Sequence, residues 1–392
     1  MSEALHRFAG PGGVVAVALP VPYGDLIEGW GELRRRMLRD VAPGFSRDEW
    51  AYLATFLDPS SLRGHFARNF GESVEGDGAA VSALYRPRGE IAVWLPNNVS
   101  LLGPLTLVLL SLTGQPVRLK RGSSAEDLAG AFVRYAIDKL DDGPLRRLLE
   151  SRVTAETFGR DDPRNAELAA SAAVRIVFGS DAAARAVHAL PHPLDSVGFS
   201  FTDRRSEAWL DRDSLDDDTL ADLVRVFTIY GQAGCTSPRR VVLLDGSEGE
   251  VAALAGRLAE VWARVAQGRV PMNIASDTVK ADQWARALGW QTRVVGENGG
   301  LLAWGSAGLG EFEGHMALSV QGATVAQAFE QLPANIQTVG HALSSPDDPD
   351  LLRRLARSKV LRFVPLATMH HFDSTWDGQA FWKGCFEVTE TG

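Results

Sequence analysis

The stretch EIAVWLPNNVSLLGPLTLVLLSLTGQPVRLK, residues 90–120, decides the fold class of this chain. Its two ends, EIAVWLP (90–96) and QPVRLK (115–120), are short runs typical of β-strands. Between them Val99 to Leu112 form an apolar run of 14 residues that contains Gly103 and Pro104. A bilayer span needs ~20 residues, so this run is predicted to be a fully buried helix. A strand, a buried helix and a second strand predict a parallel βαβ unit.

The alternation of strands and helices continues on both sides of this unit, and no internal repeat interrupts it. Upstream, a short strand (11–20) and two helices (24–42 and 47–57) are predicted. Downstream the predicted strands are 172–180 and 196–201, and the predicted helices are 123–140 and 213–230. A second α/β unit is predicted after residue 231, with a strand at 239–246, a helix at 250–267, and further strands in QTRVVGE, HMALSV and TVGHAL. This order predicts an α/β protein with parallel sheets.

The composition is that of an ordinary globular protein. The chain has 392 residues, of which 45 % are hydrophobic and 23 % charged, and its formal net charge is −9. The negative charge argues against a broad nucleic-acid surface. Two cysteines, Cys235 and Cys385, are too few for a disulfide scaffold or a cysteine-rich zinc module. The first residues lack a signal-peptide pattern and no membrane span is predicted, so we expect a cytoplasmic protein.

The segment GQAGCTSPRR, residues 231–240, contains a cysteine in a glycine-rich loop between a predicted helix and a predicted strand. A thiolate in an accessible loop is a strong nucleophile towards carbonyl and thioester carbons, which makes Cys235 a candidate catalytic residue. The alternative is a small buried cysteine, which is the commoner role of an isolated cysteine. We interpret Cys385, in the aromatic segment FWKGCFEV, as a core residue.

Two further loops follow predicted strands. In LPNNVSLLGP (95–104) an asparagine amide is able to donate a hydrogen bond to an oxyanion, although asparagine is also favoured in plain turns. In VRIVFGSDAAARAV (174–187) a strand runs into Gly179-Ser180 and a helix. Backbone N–H groups at such a helix start bind phosphate or ribose groups, and the alternative is a plain N-cap by Ser180 or Asp181. The GxGxxG fingerprint of ordinary dinucleotide-binding domains is absent from this loop.

No metal site is predicted. The segment DRDSLDDDTLAD (211–222) resembles a calcium loop only superficially, because Asp216 stands where the sharp turn needs glycine. A solvated helix start explains the segment better. His188 and His192 are separated by Pro191, and the adjacent His370 and His371 point in different directions.

Taken together, these segments resemble the aldehyde dehydrogenase superfamily, and within it the LuxC-type acyl reductases, over about residues 80–385. The resemblance rests on the order of several motifs along the chain. They are RPRGEIAVWLPNN, NNVSLLGPLTLVLLSLTG, VRLKRGSS, FGSDAAARAV, GQAGCTSPRR, the weaker GEFEGH (310–315), and HHFDSTWDGQAFW (370–382).

The resemblance implies an aldehyde dehydrogenase-like fold, with a Rossmann-type cofactor domain and an α/β catalytic domain. Residues 1–80 would then be an N-terminal region packed on the cofactor domain, 81–230 the NADP-binding domain, and 231–360 the catalytic cysteine domain. Residues 361–392 would return to the cofactor domain or form an oligomer interface.

The resemblance also implies a role for each site residue. Cys235 would be the nucleophile and Asn98 the oxyanion donor. The cofactor would be NADPH. The residues expected to bind it are Lys120, Arg121, Ser123, Gly179, Ser180 and Glu311.

Two departures from the superfamily pattern bear on the reaction. Aldehyde-oxidising members have a Glu-Leu-Gly-Gly segment whose glutamate activates the deacylating water. The corresponding segment here is SFTDRRS (200–206), which has Ser200 at the position of that glutamate. LuxC-type proteins also lack this general base. Glu313 replaces the phenylalanine of the ribose-binding segment.

The implied reaction is the NADPH-dependent reduction of an acyl-CoA or another acyl thioester to an aldehyde, through a thioester on Cys235. An acyl-adenylating ligase or a carrier protein is implied as a partner, and the chain is expected to form a homo-oligomer. Three alternatives stay open: aldehyde oxidation, acyl-phosphate reduction, and an inactive binding or scaffold protein on the same fold.

Overall fold

The computed structural model describes residues 4–75, 80–96, 99, 101–122, 127–266, 272–295, 300–305 and 316–391. The strands are β1 (Ala4–Gly10), β2 (Gly13–Leu19), β3 (Glu72–Ser73), β4 (Val81–Pro87), β5 (Ile91–Trp94), β6 (Val117–Arg121), β7 (Val153–Thr157), β8 (Val174–Phe178), β9 (Val197–Phe201), β10 (Arg205–Leu210), β11 (Pro238–Leu244), β12 (Gln291–Val295), β13 (Gly300–Trp304), β14 (Ala317–Ala323), β15 (Ile336–Ala342), β16 (Arg362–Pro365) and β17 (Phe386–Glu390).

The helices are α1 (Tyr23–Met37), α2 (Arg47–Phe56), α3 (Pro59–Phe70), α4 (Leu102–Ser111), α5 (Leu128–Lys139), α6 (Pro144–Arg152), α7 (Arg164–Ser171), α8 (Asp181–His188), α9 (Asp217–Thr228), α10 (Glu248–Val265), α11 (Met272–Ala287), α12 (Val325–Glu330) and α13 (Pro349–Arg357). The chain divides into two compact units. The first comprises Met1–Thr202 with Phe372–Gly392, and the second comprises Asp203–His371.

A parallel sheet forms the centre of the first unit. Its described strands have the order β7-β6-β5-β8-β9, and every neighbouring pair is parallel. The chain starts in the middle at β5, adds β6 and β7 on one side, and then crosses back to add β8 and β9 on the other. This is the doubly wound order of nucleotide-binding sheets. Side chains from α7 and α8 pack on one face, around Trp94 and Val177.

The predicted buried helix is confirmed as α4, whose residues are all buried except Leu102. Two tryptophans tie this helix to the rest of the first unit. The indole N–H of Trp30 donates to Ser111 Oγ at 3.0 Å, and that of Trp382 donates to the Leu109 carbonyl at 2.7 Å. An apolar helix buried on all sides fits the absence of any polar face in its sequence. No helix in the described part of the chain is long and apolar enough to cross a membrane.

The first unit also contains a mixed sheet of order β17-β4-β2-β1-β3. The sequence predicts one strand over residues 11–20, whereas the structure has a hairpin in which β1 pairs antiparallel with β2. The C-terminal strand β17 pairs antiparallel with β4. The last residues of the chain therefore return to the first unit.

The second unit is built on a sheet of order β12-β13-β14-β11-β10-β15-β16, in which the β12–β13 pair is antiparallel and the other pairs are parallel. The boundary between the units lies at residues 202/203, whereas the sequence places it at 230/231. The difference arises because β10 pairs with β11 on one side and β15 on the other. Strand β10 and helix α9 thus belong to the second unit, although the chain reaches them before Gly231.

Candidate active site

The parallel sheet of the first unit has its topological switch point between β5 and β8. In doubly wound sheets, ligands bind outside the carboxyl ends of the strands at this point. The chain leaves β5 at Trp94, leaves β8 at Phe178 and leaves the neighbouring β6 at Arg121. The predicted cofactor residues Lys120, Arg121, Gly179 and Ser180 all lie at this edge.

Lys120 has a setting that suits an anionic ligand. Its side chain is half-buried, and Nζ lies 5.7 Å from the centre of the Phe158 ring. Burial lowers the pKa of the Lys120 ammonium, and the nearby Arg160 guanidinium lowers it further. A partly desolvated ammonium beside a second cation is stabilised by a negatively charged partner.

The other cofactor candidates at this edge are held by local contacts. Arg121 Nε donates to the Thr157 hydroxyl on the adjacent strand β7. Ser180 is the N-cap of α8, and its Oγ accepts from the Ala183 N–H at 3.1 Å. Gly179 N–H donates to the Phe201 carbonyl at 3.0 Å. The start of α8 therefore forms directly after β8, as the Gly-Ser motif predicts.

Three predicted site residues, Asn98, Ser123 and Glu311, lie outside the described residues. In the sequence, Asn98 comes four residues after the end of β5 at Trp94, and Ser123 two residues after the end of β6 at Arg121.

The loop of Cys235 in the second unit is fixed by a buried glutamine. Gln232 Nε2 donates to the carbonyls of Pro238 and Ala317, at 3.0 and 2.9 Å, and Gln232 Oε1 accepts from the Ala317 N–H at 3.1 Å. One side-chain amide thus joins the loop to the starts of β11 and β14. Gly231 and Gln232 both have left-handed backbone angles, φ 57° and φ 63°, which glycine adopts easily and glutamine only when other contacts hold it.

Cys235 itself is partly exposed and is held through both its backbone and its side chain. Ser206 Oγ, on β10, donates to the Cys235 carbonyl at 2.7 Å. Gln337 Nε2, on β15, donates to Cys235 Sγ at 3.4 Å. Hydrogen bonds to a sulfur favour its thiolate form, which is the nucleophilic form.

A histidine from the end of the second unit holds the residue that follows Cys235. His370 Nδ1 lies 2.6 Å from Thr236 Oγ1, and His370 Nε2 lies 2.7 Å from the Val226 carbonyl. Because the carbonyl only accepts, we assign the proton to Nε2, so that Nδ1 accepts from the Thr236 hydroxyl. Burial is the main cause that lowers the pKa of His370, to about 4, and the imidazole is neutral at neutral pH.

Ser200, which the resemblance to the superfamily aligns with the glutamate of oxidising members, lies in β9 of the first unit. Its Oγ is 2.5 Å from His188 Nε2, and its carbonyl accepts from Gln379 Nε2 at 2.9 Å. Burial lowers the pKa of His188, and electrostatic interactions with Arg175 and His192 lower it further. Ser200 is therefore engaged by a histidine that is neutral at neutral pH.

The second cysteine is enclosed. Cys385 is fully buried, its Sγ donates to the Phe381 carbonyl at 3.4 Å, and burial raises the pKa of its thiol well above the ordinary range. A buried thiol of this kind is unreactive. In the described part of the chain, no group of three or more His, Cys, Asp and Glu side chains is arranged to hold a metal ion.

The structure adds three residues that sequence reasoning did not assign to the site: Ser206, Gln337 and His370. Ser206 is the last residue of SFTDRRS (200–206), in which the motif comparison concerns only Ser200. Gln337 is 102 residues from Cys235, and no local pattern marks it. His370 begins the motif HHFDSTWDGQAFW, but its contact with Thr236, 134 residues away, is not visible in the sequence.

The sequence and the fold were compared with known proteins. A family model described as acyl-CoA reductase (LuxC) matches residues 65–287, more than half of the chain. No curated protein matches the sequence significantly.

Many solved structures share the fold. An NAD-dependent aldehyde dehydrogenase from Sinorhizobium meliloti is 14 % identical with a TM-score of 0.67, over 94 % of this chain and 81 % of that one. A succinic semialdehyde dehydrogenase from Streptococcus pyogenes, in complex with NADP+, is 13 % identical with a TM-score of 0.64, over 94 % of this chain and 90 % of that one. Proline utilization A from Bradyrhizobium japonicum is 15 % identical with a TM-score of 0.65; the match covers 95 % of this chain but spans only 43 % of that protein. These matches confirm the predicted aldehyde dehydrogenase-like α/β fold.

Proposed function

The chain belongs to the LuxC family of acyl-CoA reductases, and from this membership we propose that it reduces an activated acyl group to an aldehyde with NADPH, through a thioester on Cys235. The family makes it an oxidoreductase that acts at the acyl and aldehyde level. The cysteine mechanism and the choice of NADPH are the parts that we propose.

The setting of Cys235 is the observation that carries the proposal. Of the two cysteines, Cys235 is partly exposed and Cys385 is buried. The Cys235 sulfur accepts an amide N–H from Gln337, and its loop is held by the Gln232 side chain. An accessible sulfur with a hydrogen-bond donor, on a fixed loop, meets the requirements of a nucleophile.

The proposed reaction begins when the Cys235 thiolate attacks the acyl carbonyl. The thiol group of the donor then leaves as a thiolate, which takes up a proton, and the acyl group stays on Cys235. We assign the stabilisation of the tetrahedral oxyanion to the Asn98 side chain and the Cys235 backbone N–H. When bound, NADPH supplies the hydride that converts this thioester to a thiohemiacetal. The thiohemiacetal then loses its hydroxyl proton to solvent and collapses to the aldehyde and the Cys235 thiolate.

We assign cofactor binding to the switch-point edge of the first unit. A negatively charged dinucleotide suits the partly desolvated Lys120 ammonium and the N–H groups at the start of α8. Arg121 would meet a 2′-phosphate. Ser123, Gly179, Ser180 and Glu311 complete the proposed set.

Reduction is favoured over aldehyde oxidation because oxidation ends in hydrolysis of the thioester. Hydrolysis needs a general base to activate water, and Ser200 stands where oxidising members have that base. A serine hydroxyl is not a base near neutral pH, and Ser200 Oγ is engaged by His188. We further propose that the acyl donor is a coenzyme A or protein thioester supplied by an acyl-activating ligase, and that the protein acts as a homo-oligomer.

Cys235→Ala tests the mechanism. The purified protein is incubated with an acyl-CoA in the absence of NADPH, and its peptides are analysed by mass spectrometry. We expect one acyl group on the Cys235 peptide of the wild type and none in the variant. Aldehyde formation should fall to background in Cys235→Ala, whereas NADPH binding, measured by quenching of tryptophan fluorescence, should persist.

Cys385→Ala is the matched control, because it removes the other thiol from a buried position. This control should still acquire the acyl group on Cys235 and produce aldehyde. Full reductase activity in Cys235→Ala would overturn the covalent mechanism.

A further inference from the structure

Gln337 occupies an irregular position in the sheet of the second unit. In the parallel pairing of β10 with β15, Arg205 is opposite Ile336 and Ser206 is opposite Thr338. Gln337 is therefore the extra residue of a β-bulge. Bulges are uncommon between parallel strands, and they re-aim a side chain, often next to an active site.

The main chain at this bulge is held by its neighbour, and the side chain is enclosed. The Gln337 carbonyl accepts from the Leu361 N–H at 3.0 Å, and the residue has no solvent exposure. The re-aimed amide places Nε2 3.4 Å from Cys235 Sγ. A buried amide N–H is costly unless it has an acceptor, and Cys235 Sγ is an acceptor for Gln337 Nε2.

We propose that Gln337 activates Cys235 by stabilising its thiolate through the Nε2–H···Sγ hydrogen bond. Nε2 of an amide only donates, so the bond strengthens when the sulfur becomes negative. A cation beside the sulfur would lower the thiol pKa further than a neutral amide does. Because the nucleophilicity of a thiolate falls as the thiol pKa falls, the neutral amide stabilises the thiolate with a smaller loss of reactivity. The role of Gln337 in catalysis rests on the proposed function, in which Cys235 is the nucleophile.

The elements around the loop carry several other charged and titratable groups. Arg205 begins β10, and Arg239 and Arg240 lie in β11. Arginines stay protonated throughout the accessible pH range. His370, which contacts the loop through Thr236, has a pKa of about 4 and stays neutral above that value.

The test is the rate at which iodoacetamide alkylates Cys235 as a function of pH, followed on its peptide by mass spectrometry. Alkylation displaces iodide and forms no oxyanion, so the rate reports the thiolate alone. Gln337→Met keeps the length of the side chain and removes the donor. We expect the apparent thiol pKa to rise by about one unit, so that alkylation near neutral pH slows about threefold, while the limiting rate at high pH rises about threefold because the thiolate becomes more nucleophilic.

Thr338→Val is the matched control, because Thr338 is equally buried on the same strand and its hydroxyl accepts from Arg362. Its alkylation profile should follow that of the wild type. Should Gln337→Met fail to fold, Gln337→Asn, whose amide is one methylene shorter, should give the same rise in pKa. An unchanged profile in a folded Gln337 variant would overturn the inference.

The alkylation result also separates this inference from the proposed function. If Cys235→Ala still reduced the substrate, the reductase mechanism would fail while the effect of Gln337 on the thiol could still be measured. If Cys235→Ala is inactive and the Gln337 variants keep the wild-type profile, only the role of Gln337 fails.

Discussion

The Thr236 hydroxyl donates to Nδ1 of His370, a residue 134 positions further along the chain, over 2.6 Å. The other ring nitrogen of His370 donates to the Val226 carbonyl near the end of α9. The turn after Cys235 is thus joined to helix α9 through one neutral imidazole. Protonation of His370 would place a second proton between Nδ1 and Thr236, where the imidazole now accepts.

We predict that His370 makes the second unit lose stability in mild acid. The pKa of His370 is about 4 in the folded protein, against an ordinary value of 6.5 in the unfolded chain. Between these values the unfolded chain binds more protons, so the free energy of unfolding falls as the pH falls from 6.5 towards 4. The loss is about 3 kcal/mol at the end of this window.

Urea unfolding at about pH 7 and about pH 4.5, for the wild type and His370→Gln, measures this loss. The variant should be less stable at the higher pH but should show a smaller decrease between the two. His192→Gln, which changes an exposed histidine, should keep the wild-type decrease. Equal decreases in wild type and His370→Gln would contradict the prediction.

Gln232→Met should destabilise the protein and slow the reactions of Cys235. The substitution keeps the size of the side chain but leaves the Ala317 N–H and the carbonyls of Pro238 and Ala317 without their partner. A buried polar group without a partner costs about 1–3 kcal/mol, so we expect a total loss of at least ~2 kcal/mol. The loop geometry would relax at the same time, because a left-handed residue needs such contacts.

Thermal melts and the alkylation rate of Cys235 measure the two effects of Gln232→Met. Gln291→Met, at an exposed position on β12, is the control and should change neither. A Gln232 variant with wild-type melting temperature and wild-type alkylation would show that the side-chain contacts do not fix the loop.

The sequence predicts much of the fold because its signals are local. Apolar runs such as Ile91–Trp94 and the all-apolar helix α4 are recognisable without knowledge of their neighbours. Strand β10 is not predicted from the sequence, because its buried residues include a charged one. Glu207 is 2 % exposed and forms an ion pair with Arg240 on β11, so its polarity is compensated only by the folded sheet.

The candidate site likewise contains residues that local motifs mark and residues that only the folded structure brings together. The Cys235 loop and the helix start at Ser180 are marked by short motifs, in which glycine, glutamine and serine have positions set by local backbone geometry. Gln337 contacts Cys235 from 102 residues away, and it does so through a bulge. A bulge depends on how two strands pair, which a single strand sequence does not specify.

Arg121→Ala should reduce the preference for NADPH over NADH. A guanidinium binds a 2′-phosphate strongly, and losing one such charged contact costs about 1.5–3 kcal/mol, or roughly 10–100-fold in kcat/KM for NADPH. The value for NADH should change little, because NADH lacks this phosphate. Steady-state kinetics with both cofactors give the ratio.

Arg118→Ala is the matched control for Arg121→Ala. Arg118 lies on the same strand, but its guanidinium is bound by Glu156 at 2.9 Å. The cofactor ratio should therefore remain at the wild-type value. Equal kcat/KM values for NADPH and NADH in the wild type would contradict the proposed role of Arg121.

The acyl-enzyme on Cys235 should be long-lived in buffer and short-lived with NADPH. General-base assistance to hydrolysis is worth about 10²–10⁴-fold, and Ser200 does not supply it. Acyl-enzyme made from a radiolabelled acyl-CoA is freed of excess donor and divided, and its decay is followed with and without NADPH. The label should leave mainly as aldehyde when NADPH is present and should remain on the protein when it is absent.

Substitutions at and around Ser200 decide whether its identity sets this lifetime. Ser200→Glu restores the carboxylate of the oxidising members and should speed decay to free acid by up to about 10²-fold. Ser200→Ala should leave the lifetime unchanged, since it only removes a hydroxyl. His188→Gln tests the neutral imidazole that contacts Ser200 Oγ at 2.5 Å, and it too should leave the lifetime unchanged. If the wild-type acyl-enzyme decayed to free acid as fast as it is reduced to aldehyde with NADPH, the reductase assignment would be refuted. If Glu311→Gln or Glu313→Gln then slowed that decay, a substitute carboxylate base would explain it, and the protein would be an aldehyde oxidiser that uses a different base.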